Sequence, residues 1–272
     1  MSVLLQISDT HFGTEQAPVV AALTRFTKEL APAMVVLSGD LTQRAQRDEF
    51  SAARHFVDGL KVPLELALPG NHDIPLFNLI ARIFRPFGNF LRDFGPELEP
   101  VRETADMLVI GVNTTMPRWH KDGRVSLSQV ERVAKRLAQA PAHLLRIVVV
   151  HQPVHVPRLS EQKNLLVGRD AAVHRWADAG ADLILGGHIH LPFVRPLSER
   201  YPNLSRSVWA VQAGTAVSSR IRADAPNSVN VIRFDAAESS PMCTVERWDC
   251  PLPHARFELV DTHRLAVERA NR

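Results

Sequence analysis

Short hydrophobic runs recur along this chain, and five of them end at a cluster of polar residues. Such runs, when turn-forming residues bound them, are typical of buried strands. They lie at 3–7, 34–37, 64–68, 147–150 and 183–185. Ligands of open α/β sheets bind in the crevice outside the carboxyl ends of the strands. The five polar clusters are therefore predicted to share one rim of the fold.

The segments between these runs complete the predicted order of elements. The helical pattern predicts helices over 18–30, 45–59, 76–94, 127–139 and 170–179. Residues 100–112 are expected to form a hairpin, and 206–212, 228–234 and 242–248 three consecutive antiparallel strands. Residues 255–270 are expected to form an amphipathic helix. This order predicts an α/β fold of two mixed sheets packed together, with helices outside.

Length and composition favour one large domain. The chain has 272 residues, of which 45% are hydrophobic, and this suffices for a single core. We expect one domain over 1–272, in which 250–272 is an extension that packs on the surface or on a partner. No apolar run approaches the roughly 20 residues of a membrane span. The chain is therefore expected to be soluble and cytoplasmic, with no membrane partner.

Cysteine content and charge indicate the compartment and the class of partner. Two cysteines, Cys243 and Cys250, fit a reducing compartment and are expected to be free thiols. The formal net charge is +3, and five arginines are spread loosely over 195–222. That spread is typical of a solvated face, or else of an electropositive approach for an anionic substrate. It lacks the density and the aromatic residues of a nucleic-acid groove, so a nucleic-acid partner is not expected.

The polar clusters have the composition of a metal site. In an extended segment, residues two apart lie on the same side, as Asp9 and His11 would, and likewise His188 and His190. Asp40 follows a glycine, which leaves its carboxylate free to bridge two ions, and Asn71 offers a neutral oxygen. The surplus of ligands predicts two metals rather than one. The candidate residues are Asp9, His11, Asp40, Asn71, His72, His151, His188 and His190.

These clusters resemble the signature of the calcineurin-like metallophosphoesterases. The matching blocks are Asp9-Thr10-His11, Gly39-Asp40, Gly70-Asn71-His72-Asp73, His151 and Gly187-His188-Ile189-His190. The resemblance implies a four-layer αββα sandwich, two mixed β-sheets flanked by helices. It also implies one metal bound by Asp9, His11, Asp40 and His190, and another bound by Asp40, Asn71, His151 and His188.

The resemblance further implies that His72 is a catalytic residue rather than a ligand. It would contact phosphate and protonate the leaving oxygen, and Asn71 and His72 would form the substrate-binding pair. The partner that orients His72 stays open, because Gln43 stands where the family often has an acidic residue or asparagine. We expect Asp73 to be a helix cap rather than a chemical group.

Within the family the chain is most similar to the class III cyclic-nucleotide phosphodiesterases. The similarity lies in the opening block, 7–12, and in a segment after the last motif that includes Ala213-Gly214-Thr215-Ala216, Ser219-Arg220 and Pro226-Asn227-Ser228. It implies hydrolysis of small phosphodiesters such as 3′,5′-cAMP by in-line attack of a hydroxide that bridges two divalent metal ions. Iron and manganese are favoured, with zinc or cobalt as alternatives.

Other functions on the same metal core stay open. They are a glycerophosphodiesterase, a nuclease, a phosphomonoesterase or protein phosphatase, and a non-catalytic scaffold. A scaffold can lose ligands, whereas here every ligand position is filled. The partner is expected to be a small-molecule phosphodiester, and whether two copies form a homodimer is also open.

Overall fold

The computed structural model describes residues 1–119, 121–222, 225–238 and 242–268. Each of the five hydrophobic runs forms a strand, as predicted. The strands are β1 Ser2–Ile7, β2 Met34–Ser38, β3 Leu64–Leu68, β4 Val101–Glu103, β5 Met107–Gly111, β6 Leu145–Val149, β7 Leu183–Gly186, β8 Phe193–Pro196, β9 Trp209–Gln212, β10 Asn227–Phe234, β11 Met242–Cys250 and β12 Glu258–Ala266. The α-helices are α1 Ala17–Leu30, α2 Arg47–Leu60, α3 Leu79–Phe84, α4 Gly88–Phe94, α5 Leu127–Ala138 and α6 Arg169–Asp178.

Within the described residues the strands form two six-stranded sheets, with parallel and antiparallel pairs in each. The first has the order β12-β11-β10-β1-β2-β3, and the second β4-β5-β6-β7-β9-β8. Strands β1, β2 and β3 run parallel, as do β5, β6, β7 and β9. Parallel neighbours place their carboxyl ends at one edge, so the loops after β1, β2 and β3 lie side by side.

Alternate residues of each central strand enter different cores. Leu4 of β1 packs between the two sheets with residues such as Val109 and Ile147. Its neighbours Leu5 and Ile7 face the helices α1 and α2 instead. Burial on both faces explains why these strands are continuous apolar runs rather than alternating ones. With α5 and α6 covering the second sheet, the predicted four-layer α/β sandwich is confirmed.

The predicted run of three antiparallel strands is wrong in its first member. Strand β9 lies in the second sheet, parallel to β7, and Trp209 pairs with Leu183. Only β10, β11 and β12 form the antiparallel meander. The chain passes from one sheet to the other between β9 and β10, and hydrophobic pattern alone does not specify which sheet a strand joins. Strand β8 was not predicted.

The predicted helix over 76–94 is two shorter helices, α3 and α4. Pro86 separates them, because proline disrupts the helical hydrogen bonding of the preceding turn. Helix α3 starts after Asn78, whose side chain accepts a hydrogen bond from the Ala81 amide at 3.0 Å. The apolar side of the predicted helix is exposed rather than packed on the core.

The predicted C-terminal helix is also wrong, because this segment is the edge strand β12. Backbone pairing with β11 holds it from Glu258 to Ala266, and residues 269 and 270 lie outside the described residues. Cys243 and Cys250 are both buried thiols, as predicted. None of the described helices is long and apolar enough to span a bilayer.

Candidate metal centre

The loops that follow β1, β2, β3, β6 and β7 bring all the predicted site residues to one rim. Most are buried: Asp9, His11, Asp40, Asn71, His151 and His190. His72 and His188 are partly exposed. The residues form two compact groups of ligand atoms, one of Asp9, His11 and His190 and the other of Asp40, His151 and His188. A third combination, of His11, Asp40 and His72, connects them.

Five of these residues adopt left-handed backbone conformations. Their φ angles are 51° at Asp9, 43° at His11, 51° at Asp40, 72° at His188 and 54° at His190. Such values are uncommon outside glycine and persist where the surroundings impose them. The Asp9 amide donates to the Gly39 carbonyl and the His11 amide to the Asp40 carbonyl, each at 3.0 Å. The loops after β1 and β2 therefore hold each other in this conformation.

Two glycines of the motifs allow these loops to approach each other. A Cβ on Gly70 would overlap the backbone nitrogen and carboxylate of Asp40. A Cβ on Gly187 would overlap the Ser8 hydroxyl and the Asp9 carboxylate. The close approach of the loops, rather than a turn, accounts for glycine at these two positions.

The first group is formed by Asp9, His11 and His190. The Asp9 carboxylate accepts hydrogen bonds from the Ser8 hydroxyl at 2.6 Å and the His188 amide at 3.0 Å. Nε2 of His190 lies 3.2 Å from Asp9 Oδ1 and 3.1 Å from His11 Nε2. Nδ1 of His190 is 2.7 Å from the Arg220 carbonyl. Because a carbonyl can only accept, Nδ1 carries the proton, and a neutral His190 turns the lone pair of Nε2 toward Asp9.

The second group, of Asp40, His151 and His188, is arranged in the same way. Nδ1 of His151 donates to the Ser38 carbonyl at 2.9 Å, so Nε2 of the neutral ring presents a lone pair. That Nε2 lies 3.4 Å from Asp40 Oδ2 and 3.3 Å from Asn71 Oδ1. Nδ1 of His188 is buried and has no hydrogen-bond partner among the described residues. When they are neutral, as metal binding requires, these rings would aim electron pairs at oxygen acceptors, an arrangement that a cation between them would stabilise.

Asp40 lies between the two groups. Its Oδ1 accepts a hydrogen bond from the His72 amide at 2.7 Å. Its Oδ2 is 3.8 Å from His11 Nε2 and 3.4 Å from His151 Nε2. The carboxylate is therefore oriented by one oxygen and faces both groups with the other, which is the geometry that a bridging ligand needs.

The ionisation of the site suits divalent cations. Burial lowers the pKa of His11 to about 3 and that of His188 to about 4, so both rings are neutral at pH 7. Burial opposes ionisation of Asp9, but His190 lowers its pKa to about 2. Likewise His151 holds the pKa of Asp40 well below its usual range. Carboxylate, amide oxygen and imidazole donors together fit first-row divalent ions.

His72 stands at the open side of the centre, where Gln43 and Arg220 hold it. The sequence alone assigned no role to these two residues. Its Nδ1 is 2.9 Å from the Gln43 carbonyl, and its Nε2 is 3.2 Å from Nη1 of Arg220. The same Nη1 donates to Oε1 of Gln43 at 3.0 Å. A backbone carbonyl thus orients His72. The only signal for Arg220 was its place in the segment after the last motif.

Asp73 does not cap the helix predicted to follow it, which Asn78 caps instead; it accepts from the Gly70 amide at the start of a short 3-10 helix over Asn71–Asp73 and joins two of the loops of the centre. Its buried carboxylate accepts from the amides of Leu41, Thr42 and Gly70 at 3.0, 2.8 and 2.8 Å. The Thr42 hydroxyl donates to it as well, at 2.8 Å. Asp73 therefore connects the loop after β2, which carries Asp40, to the loop after β3, which carries Asn71 and His72.

A cavity of about 200 Å³ opens beside His72. Its wall combines polar groups with an apolar surface: Gln43, Arg44, Asn71, His72, Ile74, Leu76 and Phe77. The cavity offers room for a substituent of a substrate whose reacting group lies at the candidate metal centre.

Comparison with known proteins finds two relatives whose names describe phosphodiesterases. The chain is 26% identical over 204 residues to a probable cyclic nucleotide phosphodiesterase of Synechococcus sp., covering 71% of this chain and 74% of the relative. It is 23% identical over 201 residues to a probable glycerophosphodiester phosphodiesterase, GpdQ, of Arcobacter nitrofigilis, covering 69% and 71% of the two chains.

Among solved structures, a purple acid phosphatase, PPD1, from yellow lupin (Lupinus luteus) seeds has a similar fold. The TM-score is 0.67 at 14% identity, with 97% of this chain and 53% of the phosphatase covered. This chain thus spans about half the length of the lupin enzyme, and the likeness concerns the fold alone. The family model of the calcineurin-like phosphoesterases matches residues 2–192. The chain therefore belongs to the calcineurin-like phosphoesterase family and is a metal-dependent phosphoric ester hydrolase.

Proposed function

We propose that this protein is a dinuclear-metal phosphodiesterase that hydrolyses small phosphodiesters, with 3′,5′-cyclic nucleotides as the first substrate class to test. The observation that carries the proposal is the position of Asp40, whose Oδ2 faces both groups of ligand atoms. In this assignment Asp9, His11, Asp40 and His190 hold one ion, and Asp40, Asn71, His151 and His188 the other. Two such ions would activate a water and neutralise charge on the phosphoryl oxygens.

The protein's own groups then bind and orient the phosphodiester. The guanidinium of Arg220 lies at the rim beside His72, where it can pair with a phosphate oxygen. Asn71 contributes a neutral amide instead of a third carboxylate, which limits repulsion of an anionic substrate. One ester substituent occupies the cavity beside His72, whose lining includes Arg44 and the apolar Leu76 and Phe77.

His72 supplies the proton that the leaving oxygen needs. In the free protein its Nε2 accepts a hydrogen bond from Arg220, because its Nδ1–H is donated to the Gln43 carbonyl. When an anionic substrate draws the guanidinium away, Nε2 can carry and transfer a proton. The Gln43 carbonyl keeps the ring oriented throughout. General-acid catalysis of this kind contributes roughly 10²- to 10⁴-fold.

A glycerophosphodiester is the second candidate substrate. It rests on the relative from Arcobacter nitrofigilis, whose name describes a probable glycerophosphodiester phosphodiesterase. Both candidates share the phosphodiester group and differ in the substituent that the cavity must accept.

A substrate panel tests the proposal. Purified protein, freed of metal and reloaded with Mn²⁺, Fe²⁺, Zn²⁺ or Co²⁺, is assayed on 3′,5′-cAMP, glycerophosphoethanolamine, bis-nitrophenyl phosphate and nitrophenyl phosphate. We expect kcat/KM for the diesters to exceed that for the monoester. A preference for the monoester in every metal form would refute the proposed diesterase, and cAMP compared with the glycerophosphodiester decides between the two candidate substrates.

A further inference from the structure

The segment after the third motif exposes an unusual apolar surface, here called the α3 face: Leu76, Phe77, Leu79, Ile80, Ile83 and Phe84. Each of these side chains is between 38% and 79% exposed, and no residue of α3 is buried. Trp119 extends the face. It is 40% exposed, and its carbonyl accepts a hydrogen bond from Arg82 of α3 at 3.4 Å. Contiguous apolar surface of this kind marks an interaction site.

The surroundings of the α3 face are positively charged. Residues 74–92 contain three arginines and no acidic residue. A cleft of about 620 Å³ runs beside α3, and its lining includes Arg44, Arg47, Arg85 and Arg92 with Asp48 as the one acid. Arg92 is paired with Asp93. In the described part of the chain, no carboxylate pairs with the other three guanidinium groups of the cleft.

This charge decides between two kinds of occupant. In a two-fold dimer the same surface meets itself, so the arginine-rich surroundings of both copies would be brought into one interface. An anionic surface is complementary instead. Exposed apolar side chains with arginines and a tryptophan beside them are the composition of segments that lie in the interface of a bilayer. Arginines near an anionic leaflet add to such binding.

We infer that the α3 face binds the surface of bilayers that contain anionic phospholipids. Its apolar side chains enter the boundary between headgroups and acyl chains, and the arginines of the cleft pair with headgroup phosphates. The contact is peripheral, and it differs from the expectation of no membrane partner that hydropathy alone supports. The inference does not depend on which phosphodiester the enzyme cleaves.

Membrane binding through the α3 face would bring the candidate metal centre close to the lipid surface. Arg44, Leu76 and Phe77 line both the cleft and the cavity beside His72. A protein bound through the α3 face would therefore turn the entrance of its centre toward the lipid surface.

Vesicle flotation with the full chain tests this inference. Vesicles of phosphatidylcholine alone are compared with vesicles that also contain phosphatidylglycerol, at low and high salt. The variants are Ile80→Glu with Phe84→Glu, which changes the apolar face, and Arg47→Gln with Arg85→Gln, which removes two charges of the cleft. The matched controls are Leu127→Glu, at a side chain 74% exposed elsewhere, and Lys28→Gln with Lys135→Gln. Thermal unfolding of each variant reports whether it folds.

We expect the wild type and both controls to float with phosphatidylglycerol vesicles and not with phosphatidylcholine alone. The apolar variant should lose flotation, and the arginine variant should bind about 20- to 30-fold more weakly, from roughly 1 kcal/mol per arginine near the surface. Wild-type protein that stays unbound, or folded variants that bind like the controls, would overturn the inference. So would a dimer, measured by light scattering, that dissociates only in the apolar variant while no form floats.

To cover the case in which the apolar variant does not fold, a nitroxide label on Ile83→Cys gives an independent measurement. The native cysteines are buried, so the label reports this one position. Rising accessibility to oxygen on addition of phosphatidylglycerol vesicles supports insertion of the α3 face. An unchanged accessibility contradicts it.

Discussion

At the scale of single residues, the site combines buried, fixed candidate ligands with a more accessible pair at the rim. Asp9 and Asp40 are held by backbone amides, and His151 and His190 by backbone carbonyls. His72 and Arg220 instead contact each other through side chains at the open side. The buried groups suit metal binding, whereas the rim pair can rearrange when a substrate enters.

The role of His72 leads to the first prediction. The variant His72→Ala should keep its metal content and lose roughly 10²- to 10⁴-fold in kcat on alkyl phosphodiesters. A nitrophenyl diester has a good leaving group that needs little protonation, so its turnover should fall much less. Steady-state kinetics on both substrates, with elemental analysis of the variant, provide the measurement. Equal losses on the two substrates would mean that His72 binds phosphate or shapes the site, and the general-acid role would be withdrawn.

The second prediction concerns pH and the pair of His151 and Asp40. Burial opposes the charge on His151, but Asp40 outweighs it and raises the pKa of His151 to about 9 in the metal-free protein. The raised folded-state pKa stabilises the metal-free protein fully below pH 6.5, the ordinary value. That contribution should be lost as the pH rises through 9. Urea unfolding of the metal-free protein between pH 6 and 9.5 measures this loss.

The same proton must leave before His151 can bind a metal. Metal uptake at pH 7.5 should therefore release protons, which calorimetry in buffers of different ionisation enthalpy can count. The control is His151→Gln, which should release fewer. Equal proton release by the variant and the wild type would show that His151 is not the protonated group.

At the scale of elements, the loops after β2 and β3 depend on Asp73, and this gives the third prediction. In Asp73→Ala the amides of Gly70, Leu41 and Thr42 lose a buried acceptor. Leaving buried donors unsatisfied costs about 1–3 kcal/mol each in the worst case, so we expect a loss of about 3 kcal/mol in the free energy of unfolding. Urea unfolding of the metal-free protein measures it. The variant Asp73→Asn keeps one acceptor oxygen and should lose less stability. A loss below about 1 kcal/mol in the free energy of unfolding of Asp73→Ala would contradict this role.

At the scale of the whole molecule, the candidate centre draws ligands from strands of both sheets. The loops after β1, β2 and β3 come from the first sheet, and those after β6 and β7 from the second. The interface between the sheets, packed by residues such as Leu4 and Ile147, therefore decides whether the two groups of ligand atoms meet. The centre should form only when the sandwich is assembled.

The fourth prediction is a stoichiometry of two metals per chain, with separable losses. Elemental analysis of loaded protein should give a value close to two, and metal binding should raise the temperature of unfolding because only the folded sandwich presents the site. The variant Asn71→Ala should weaken the binding of one ion, and His190→Ala should weaken the binding of the other. The reason is that Asn71 lies by His151, whereas His190 lies by Asp9. One metal at full activity, or the loss of the same ion in both variants, would contradict the proposed dinuclear centre.

The sequence by itself determined the five strands that lead into the motifs, and the rim that these motifs share. Apolar runs buried on two faces need no knowledge of their neighbours to be found, and residues at strand ends keep their place whatever covers the sheet. For that reason the loops after β1, β2, β3, β6 and β7 were identified correctly. The motifs have glycine at positions 70 and 187 because neighbouring loops approach the backbone there too closely for a side chain.

Only the tertiary structure decided which segments share a sheet and what covers each face. Strand β9 joined β7 instead of the meander, and β12 became an edge strand rather than a helix, since pairing between distant segments outweighs a local pattern. The apolar side of α3 met no core and remained exposed. Arg220 reached His72 across 148 residues, because the chain from β9 to β10 returns to the rim, a contact that no local spacing could encode.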